Sequence, residues 1–167
     1  MNSINRILEN PKPFLDNLFQ DLKELKIDVE NFELDHICYR VETQERYNEL
    51  KNLMLEISSL LSETLISNRP ISTFKLFEPI TYLNRDIWVI EIPAPKEGSF
   101  YFEGFEHAEF VINQNLEGFM NLYPNIEFNT KSITKPLNPE VGVKMEKSNV
   151  KFHELSLEMV CEIEDQQ

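Results

Sequence analysis

The chain has 167 residues, of which 41% are hydrophobic and 27% charged, and its formal net charge is −13. That length suits one domain or two small, intimate ones, and the apolar fraction supplies a core without a metal or disulfide to hold it together. A surface this acidic repels phosphate backbones, so no nucleic-acid partner is expected, and an anionic ligand would need a local basic spot.

The two cysteines, Cys38 and Cys161, form no spaced framework, which points to a reducing compartment. Arg6, Glu9, Lys12 and Asp16 interrupt the N-terminal stretch, which argues against a signal peptide. No run approaches the roughly 18 apolar residues of a membrane span. A cytoplasmic protein with a small-molecule partner, as a monomer or homodimer with no membrane contact, is the expectation.

Residues 1–31 read as an N-terminal helical segment. Phe14, Leu15, Leu18, Phe19, Leu22 and Leu25 recur at three- and four-residue spacing, and Pro11 and Pro13 suit a helix start. A first strand follows at about 32–42. Thr43 is a plausible N-cap for a helix whose stripe runs through Tyr47, Leu50, Leu53, Met54, Ile57, Leu60 and Leu61. Three strand-like runs come next, Glu63–Asn68, Ile71–Phe77 after the turn-like Asn68-Arg69-Pro70, and Asp86–Ile92. This makes residues 32–93 a β-α-β-β-β module. Residues 94–104 carry Pro95, Gly98 and Gly104 and read as a linker. The plan then repeats over 105–155: a strand at Phe105–Ile112, a helix at about 115–123, and strands at about 126–134, 139–146 and 149–155. Ser156 can cap a last short helix in the segment 156–167. The class is α+β, one globular domain of paired βαβββ modules, and the order of elements, more than the letters, makes the repeat.

The first strands of the two halves echo one another. In Asp35-His36-Ile37-Cys38-Tyr39-Arg40-Val41, residues Ile37, Tyr39 and Val41 make an apolar face and His36, Cys38 and Arg40 the other. In Phe105-Glu106-His107-Ala108-Glu109-Phe110-Val111-Ile112, His107 and Glu109 likewise oppose Ala108, Phe110 and Ile112. The last strands add Glu91 in the first half and His153 in the second, each on the face away from the expected helix packing. The only three histidines of the chain therefore share one kind of face, with a carboxylate. Three imidazoles and a carboxylate, His36, Glu91, His107 and His153, suit a divalent transition metal such as Zn, Ni, Fe or Mn. A β-bulge would swap His153 for Glu154, and that alternative stays open. Arg40 could bind a substrate carboxylate or pair with Glu109 or another acid. Cys38 is read as a buried filler. Glu109 is the candidate catalytic residue, a general base, with a paired structural carboxylate as the competing reading.

The first-strand motif Asp35–Val41 resembles that of the vicinal-oxygen-chelate superfamily, which includes glyoxalase I, extradiol dioxygenases and bleomycin-resistance proteins. Within it the chain resembles the YecM family. The motifs are Asn68-Arg69-Pro70-Ile71, Phe74-Lys75-Leu76-Phe77-Glu78-Pro79, Val89-Ile90-Glu91-Ile92-Pro93, Glu103-Gly104-Phe105-Glu106-His107 and Lys151-Phe152-His153. The resemblance implies paired modules closing a cupped mixed sheet around a cavity, and a metal held at His36, Glu91, His107 and His153. The last ligand in the better-known enzymes is usually Glu, here His153. The implied function is a metal-dependent enzyme on a small oxygen-chelating metabolite, isomerase or lyase before dioxygenase. The alternative is a non-catalytic ligand-binding module of the same fold.

Overall fold

The computed structural model describes residues 4–166, so the first three residues of the expected N-terminal segment, and the last of the C-terminal one, lie outside the described residues. The described residues carry five helices and seven strands, and the chain divides into two compact units. The first comprises residues 1–12 and 36–106, and the second 13–35 and 107–167. The division cuts through two strands: β1 (Glu33–Arg40) between Asp35 and His36, and β5 (Gly104–Val111) between Glu106 and His107.

In the first unit, α1 (Ile4–Ile7) is followed, after the excursion of the chain, by the main length of β1. Helix α3 (Gln44–Met54) comes next, then β2 (Ser58–Ile66), β3 (Arg69–Tyr82) and β4 (Arg85–Pro93). The Thr43 hydroxyl accepts from the Arg46 backbone N–H, so the expected N-cap is made. The helix stops at Met54, seven residues before the stripe ends. Ser58, Ser59 and Ser62 compete for backbone hydrogen bonds, and the segment finds antiparallel partners on β3 instead. Ser67 and Asn68 both have positive φ, 52° and 62°, which is the two-residue hairpin turn that matches strand twist. The turn therefore sits one residue before the Asn68-Arg69-Pro70 expected to make it.

Strands pair β2-β3-β4-β1, antiparallel except for the parallel pair β1/β4. Ile37 lies opposite Ile90, and Phe74 opposite Ile90 on its other side, so these share a face. Ser72, also on that face, meets the Tyr47 hydroxyl of α3 at 2.6 Å. This places α3 on the apolar side, where Tyr47, Leu50 and Met54 are buried. Burial raises the Tyr47 pKa to about 12, against the Ser72 hydrogen bond and with help from Glu63. The opposite face carries His36, Cys38, Val89 and Glu91.

In the second unit, α2 (Lys12–Glu24) buries Leu15, Leu18 and Leu22, as the stripe requires. Pro13 stands in its first turn, where a missing N–H costs nothing. The chain continues through β5, α4 (Leu116–Asn121), β6 (Glu140–Lys144), β7 (Asn149–His153) and α5 (Leu157–Asp165). Strands pair β5-β7-β6, parallel then antiparallel. The run 126–134 forms no strand; it makes one bridge, Asn129 to Gly142. Asn125 and Asn129 with Thr130 and Ser132 offer turn-forming side chains, and the Asn129 carboxamide accepts from the Lys131 N–H. Phe110, Phe119 and Phe152 are buried together, with Phe119 and Phe152 ring centroids 4.5 Å apart and Phe19 of α2 6.1 Å from Phe110. Helices α2 and α4 therefore cover the Phe110/Phe152 face, and His107, Glu109, Lys151 and His153 stand on the other. Ser156 caps α5 by accepting from Met159 N–H, as expected.

In each unit the first strand pairs in parallel with the last. The registers differ, however. Cys38, two residues beyond His36, lies opposite Glu91, whereas Glu109, two beyond His107, lies opposite Lys151, and His153 faces Val111. His153 is thus displaced by one strand repeat from the place that matches Glu91. The displacement is two residues, so parity is kept and His153 stays on the histidine face.

Candidate metal and proton-transfer site

Three buried histidines stand on the faces opposite α3 in the first unit and opposite α2 and α4 in the second: His36 is 2% exposed, His107 5% and His153 2%. In a β-strand, alternation puts such side chains on one face whenever their spacing is even, and both His107/Glu109 and Lys151/His153 obey this. What surrounds each ring is acidic.

In the first unit, a ring nitrogen of His36 and a carboxylate oxygen of Glu91 lie within 4.8 Å of each other. Two donors held 2.0–2.2 Å from one ion are at most about 4.4 Å apart, so a shared ion needs little movement of this pair. Farther along β1, Arg40 does not pair with Glu109. Its Nε is 3.2 Å from Glu106 Oε2, and its guanidinium carbon lies 4.3 Å from the Tyr101 ring centroid. Burial, the largest effect, disfavours the Arg40 charge, but Glu106 with Cys38 and Tyr101 together outweigh it and hold its pKa above the ordinary value. Ser99 and Arg40 both donate toward the Tyr101 phenol and lower its pKa, Ser99 foremost. Cys38 is fully buried, as the filler reading expects.

In the second unit, Glu109 is the centre of a compact cluster. Its Oε1 is 3.1 Å from His107 Nε2 and its Oε2 3.2 Å from His153 Nε2. Lys151 Nζ donates to Glu109 Oε1 at 2.8 Å and lies 3.4 Å from Glu140, which Lys135 holds at 2.8 Å. Asp35 adds a second carboxylate, its Oδ2 3.6 Å from His153 Nε2. The same oxygen accepts from Leu157 N–H at the start of α5. Glu33 feels this negative ring: burial first, then Asp35, raise its carboxyl pKa, with His153 opposing. Glu154 accepts from Leu116 N–H, where it serves the first turn of α4. Of the two alternatives at the last strand, His153 is the residue beside Glu109.

Sequence reasoning had not assigned roles to Asp35, Lys151 or Glu140. Asp35 stands next to His36 in the first-strand motif, and that adjacency was the available signal. Lys151 and Glu140 become meaningful only through the β6/β7 register, which places Glu140 opposite His153.

The donor set fits a divalent transition metal: buried imidazoles, each with a carboxylate at hand, are what such ions select, and metal-bound histidine is commonly backed by a carboxylate at its other nitrogen. The architecture can be placed. The crystal structure of methylmalonyl-CoA epimerase matches with a TM-score of 0.50 at 8% identity, covering 72% of this chain and 93% of that one. The fold is therefore of the vicinal-oxygen-chelate type. The YecM protein family matches residues 3–164, and the chain belongs to that family. Protein YecM of Escherichia coli K12 is 29% identical over 166 residues, covering 88% of this chain and 86% of that protein. A Haemophilus influenzae protein is 32% identical over 90 residues, which is 54% of this chain and 47% of that relative, so the match spans about half of it. A solved structural-genomics protein, EC4020, matches with a TM-score of 0.82 and 26% identity, covering 98% of this chain and 94% of that one. No helix among the described residues is long and apolar enough to cross a membrane.

Proposed function

We propose that this chain is a divalent-metal-dependent enzyme that moves a proton on a small metabolite bearing neighbouring oxygens, by isomerase- or lyase-type chemistry. The single observation that carries the reading is the buried Glu109 carboxylate between His107 and His153, its oxygens 3.1 and 3.2 Å from their Nε2 atoms. A buried acid costs too much to keep unless it is paired or used. The similarity to an epimerase fold is consistent with a small-metabolite reaction.

His36, Glu91, His107 and His153 would hold the metal. Their support comes from each unit by itself: the His36–Glu91 approach in one, and the Glu109-backed pair His107 and His153 in the other. When bound, such an ion stabilises the negative charge that develops on a substrate oxygen as a neighbouring carbon loses a proton. Glu109 is the group assigned to carry that proton, ionised and paired with Lys151 before the transfer and neutral after it. Arg40, cationic and part-buried, is assigned to a substrate carboxylate, in exchange for its contact with Glu106.

The test is solvent deuterium uptake. Metal-loaded protein is incubated in heavy water with a panel of small 2-oxo acids, 2-hydroxy acids and acyl thioesters, and incorporation is read by mass spectrometry. Uptake into one class, lost on Glu109→Gln, is the expected result. Ligand binding without any exchange would replace this reading with a non-catalytic binding module.

A further inference from the structure

Strand register puts two arginines on the His36/Glu91 face of the first unit. Cys38 lies opposite Glu91, so Arg40, two residues on, stands level with Pro93 at the end of β4. On the other side of β4, Thr73 lies opposite Glu91 and Ile71 opposite Pro93. Arg69 follows the same alternation on β3 and shares that face, one strand repeat farther along. Two strand spacings and one repeat separate the Arg40 and Arg69 backbones, about 12 Å, with the end of β4 between them. Arg69 reaches inward over that end, its Nη1 donating to the Ala94 carbonyl at 3.2 Å. The segment 94–103 brings Tyr101 to the same place, its ring centroid 4.3 Å from the Arg40 guanidinium carbon. Phe100 and Phe102 on either side turn outward, 75% and 82% exposed, so Tyr101 is the ring the segment turns to the sheet. Glu103 fixes the segment just beyond it by accepting from Arg46 Nε at 2.9 Å and from the Tyr39 hydroxyl at 3.1 Å. A hydrogen bond from Ser99 foremost, then Arg40 and Arg69, hold the Tyr101 phenol pKa below its ordinary value against burial, so both arginines lie within electrostatic reach of it.

We infer that Arg40, Arg69 and the Tyr101 hydroxyl form an oxyanion subsite at the end of β4, and that the substrate carries a carboxylate or phosphate group separate from its metal-binding oxygens. A chain of net charge −13 repels anions in general, so a pair of arginines on one face is the local basic spot such a group requires. Glu106, 3.2 Å from Arg40 Nε, offsets one of the two charges and is the carboxylate the ligand displaces. Arginine recognises carboxylate and phosphate through paired charge-assisted hydrogen bonds, and a phenol adds one neutral donor. The separation follows from the register. Arg40 lies two residues, about 7 Å, beyond the level of Glu91, and four residues, about 13 Å, beyond His36. One small group does not serve both ends, so the ligand spans them. The subsite deepens the metal reading above and rests on it for one step only, that the anion belongs to the substrate.

The experiment is calorimetry on the full chain, treated with a chelator, at low ionic strength, with inorganic phosphate and acetate as the probes. Chelation removes any metal, so the anion that binds is not bound to an ion. Wild type should bind at least one probe saturably; tighter phosphate marks a phosphorylated substrate, and tighter acetate a carboxylate. Arg69→Ala and Tyr101→Phe should each weaken that binding about 10–100-fold, the range for a lost hydrogen bond to a charged group. Arg69→Lys keeps the charge and should recover part of the loss. Lys23→Ala, which removes an exposed charge of α2, should leave binding as in wild type. Circular dichroism checks that each variant is folded. No saturable anion binding by wild type, or Arg69→Ala binding as wild type does, would overturn the subsite while metal content is untouched. Failure of wild type to take up metal would overturn the metal reading instead, and the anion titrations would stand as measured.

Discussion

Asp35 offers the sharpest test of how the second unit is held. Its side chain is 2% exposed, and its Oδ2 accepts from Leu157 N–H at 2.9 Å. That N–H is one of the donors a helix start leaves without an intrahelical partner, and Ser156 serves a different one, Met159. Asp35→Ala removes a charge-assisted hydrogen bond, about 1.5–3 kcal/mol, and a negative charge at a helix N-terminus, about 0.3–1 kcal/mol. Allowing for overlap between the two, the loss is about 2–3 kcal/mol. For a chain of this length each kcal/mol shifts Tm by roughly 2–4 °C, so the melting point should fall by about 4–12 °C. Asp35→Asn keeps an acceptor and the shape, and should lose only about 1 kcal/mol, or roughly 2–4 °C. Thermal unfolding followed by circular dichroism at pH 7 measures both. A drop under about 2 °C for Asp35→Ala, or equal drops for the two variants, would refute the account of α5 anchored by a buried charge.

Phe152→Ala should cost about 3–5 kcal/mol in denaturant unfolding, because its ring is fully buried between Phe110 and Phe119; a cost below about 1.5 kcal/mol would show that the second unit does not depend on this cluster. Acid should weaken the protein partly through Glu103. Hydrogen bonds from Arg46, against the opposing effect of burial and with the Tyr39 hydroxyl adding to them, hold its pKa below the ordinary 4.5. Its contribution is therefore present above about pH 4.5 and lost as pH falls below that value, and Glu103→Gln should flatten the stability profile there. An unchanged acid limb would assign the loss to other carboxylates. Arg40→Ala should weaken binding of whichever small carboxylate the deuterium screen identifies, by about tenfold in calorimetry; unchanged affinity would leave Arg40 as the partner of Glu106 and Tyr101.

The faces of the strands were legible because alternation is a hard constraint: once Ile37 and Phe110 are inward, His36, His107 and Glu109 must turn the other way. The caps Thr43 and Ser156 were legible for a similar local reason. The end of α3 was not. Ile57, Leu60 and Leu61 sit at helical spacing, yet Ser58 and its neighbours find better partners on β3, a choice that depends on pairing some fifteen residues away. The strand expected at 126–134 shrank to one bridge because its polar side chains favour turns over a ladder. The partner of Arg40 was left among several acids, since Glu106 and Glu109 both lie on β5 and only the fold selects Glu106. The two-residue offset of His153 relative to Glu91 was invisible for a subtler reason: a shift by a full strand repeat changes no face and leaves no trace in the hydrophobic pattern.

The central claim is that His36, Glu91, His107 and His153 hold a metal. Elemental analysis after reconstitution with zinc, nickel, iron or manganese tests it most directly, on wild type beside His36→Ala and His107→Ala. The account predicts about one tightly bound ion per wild-type chain, and its loss from both variants while their circular dichroism stays folded. Equal metal content in all three proteins, or none in wild type, would contradict it.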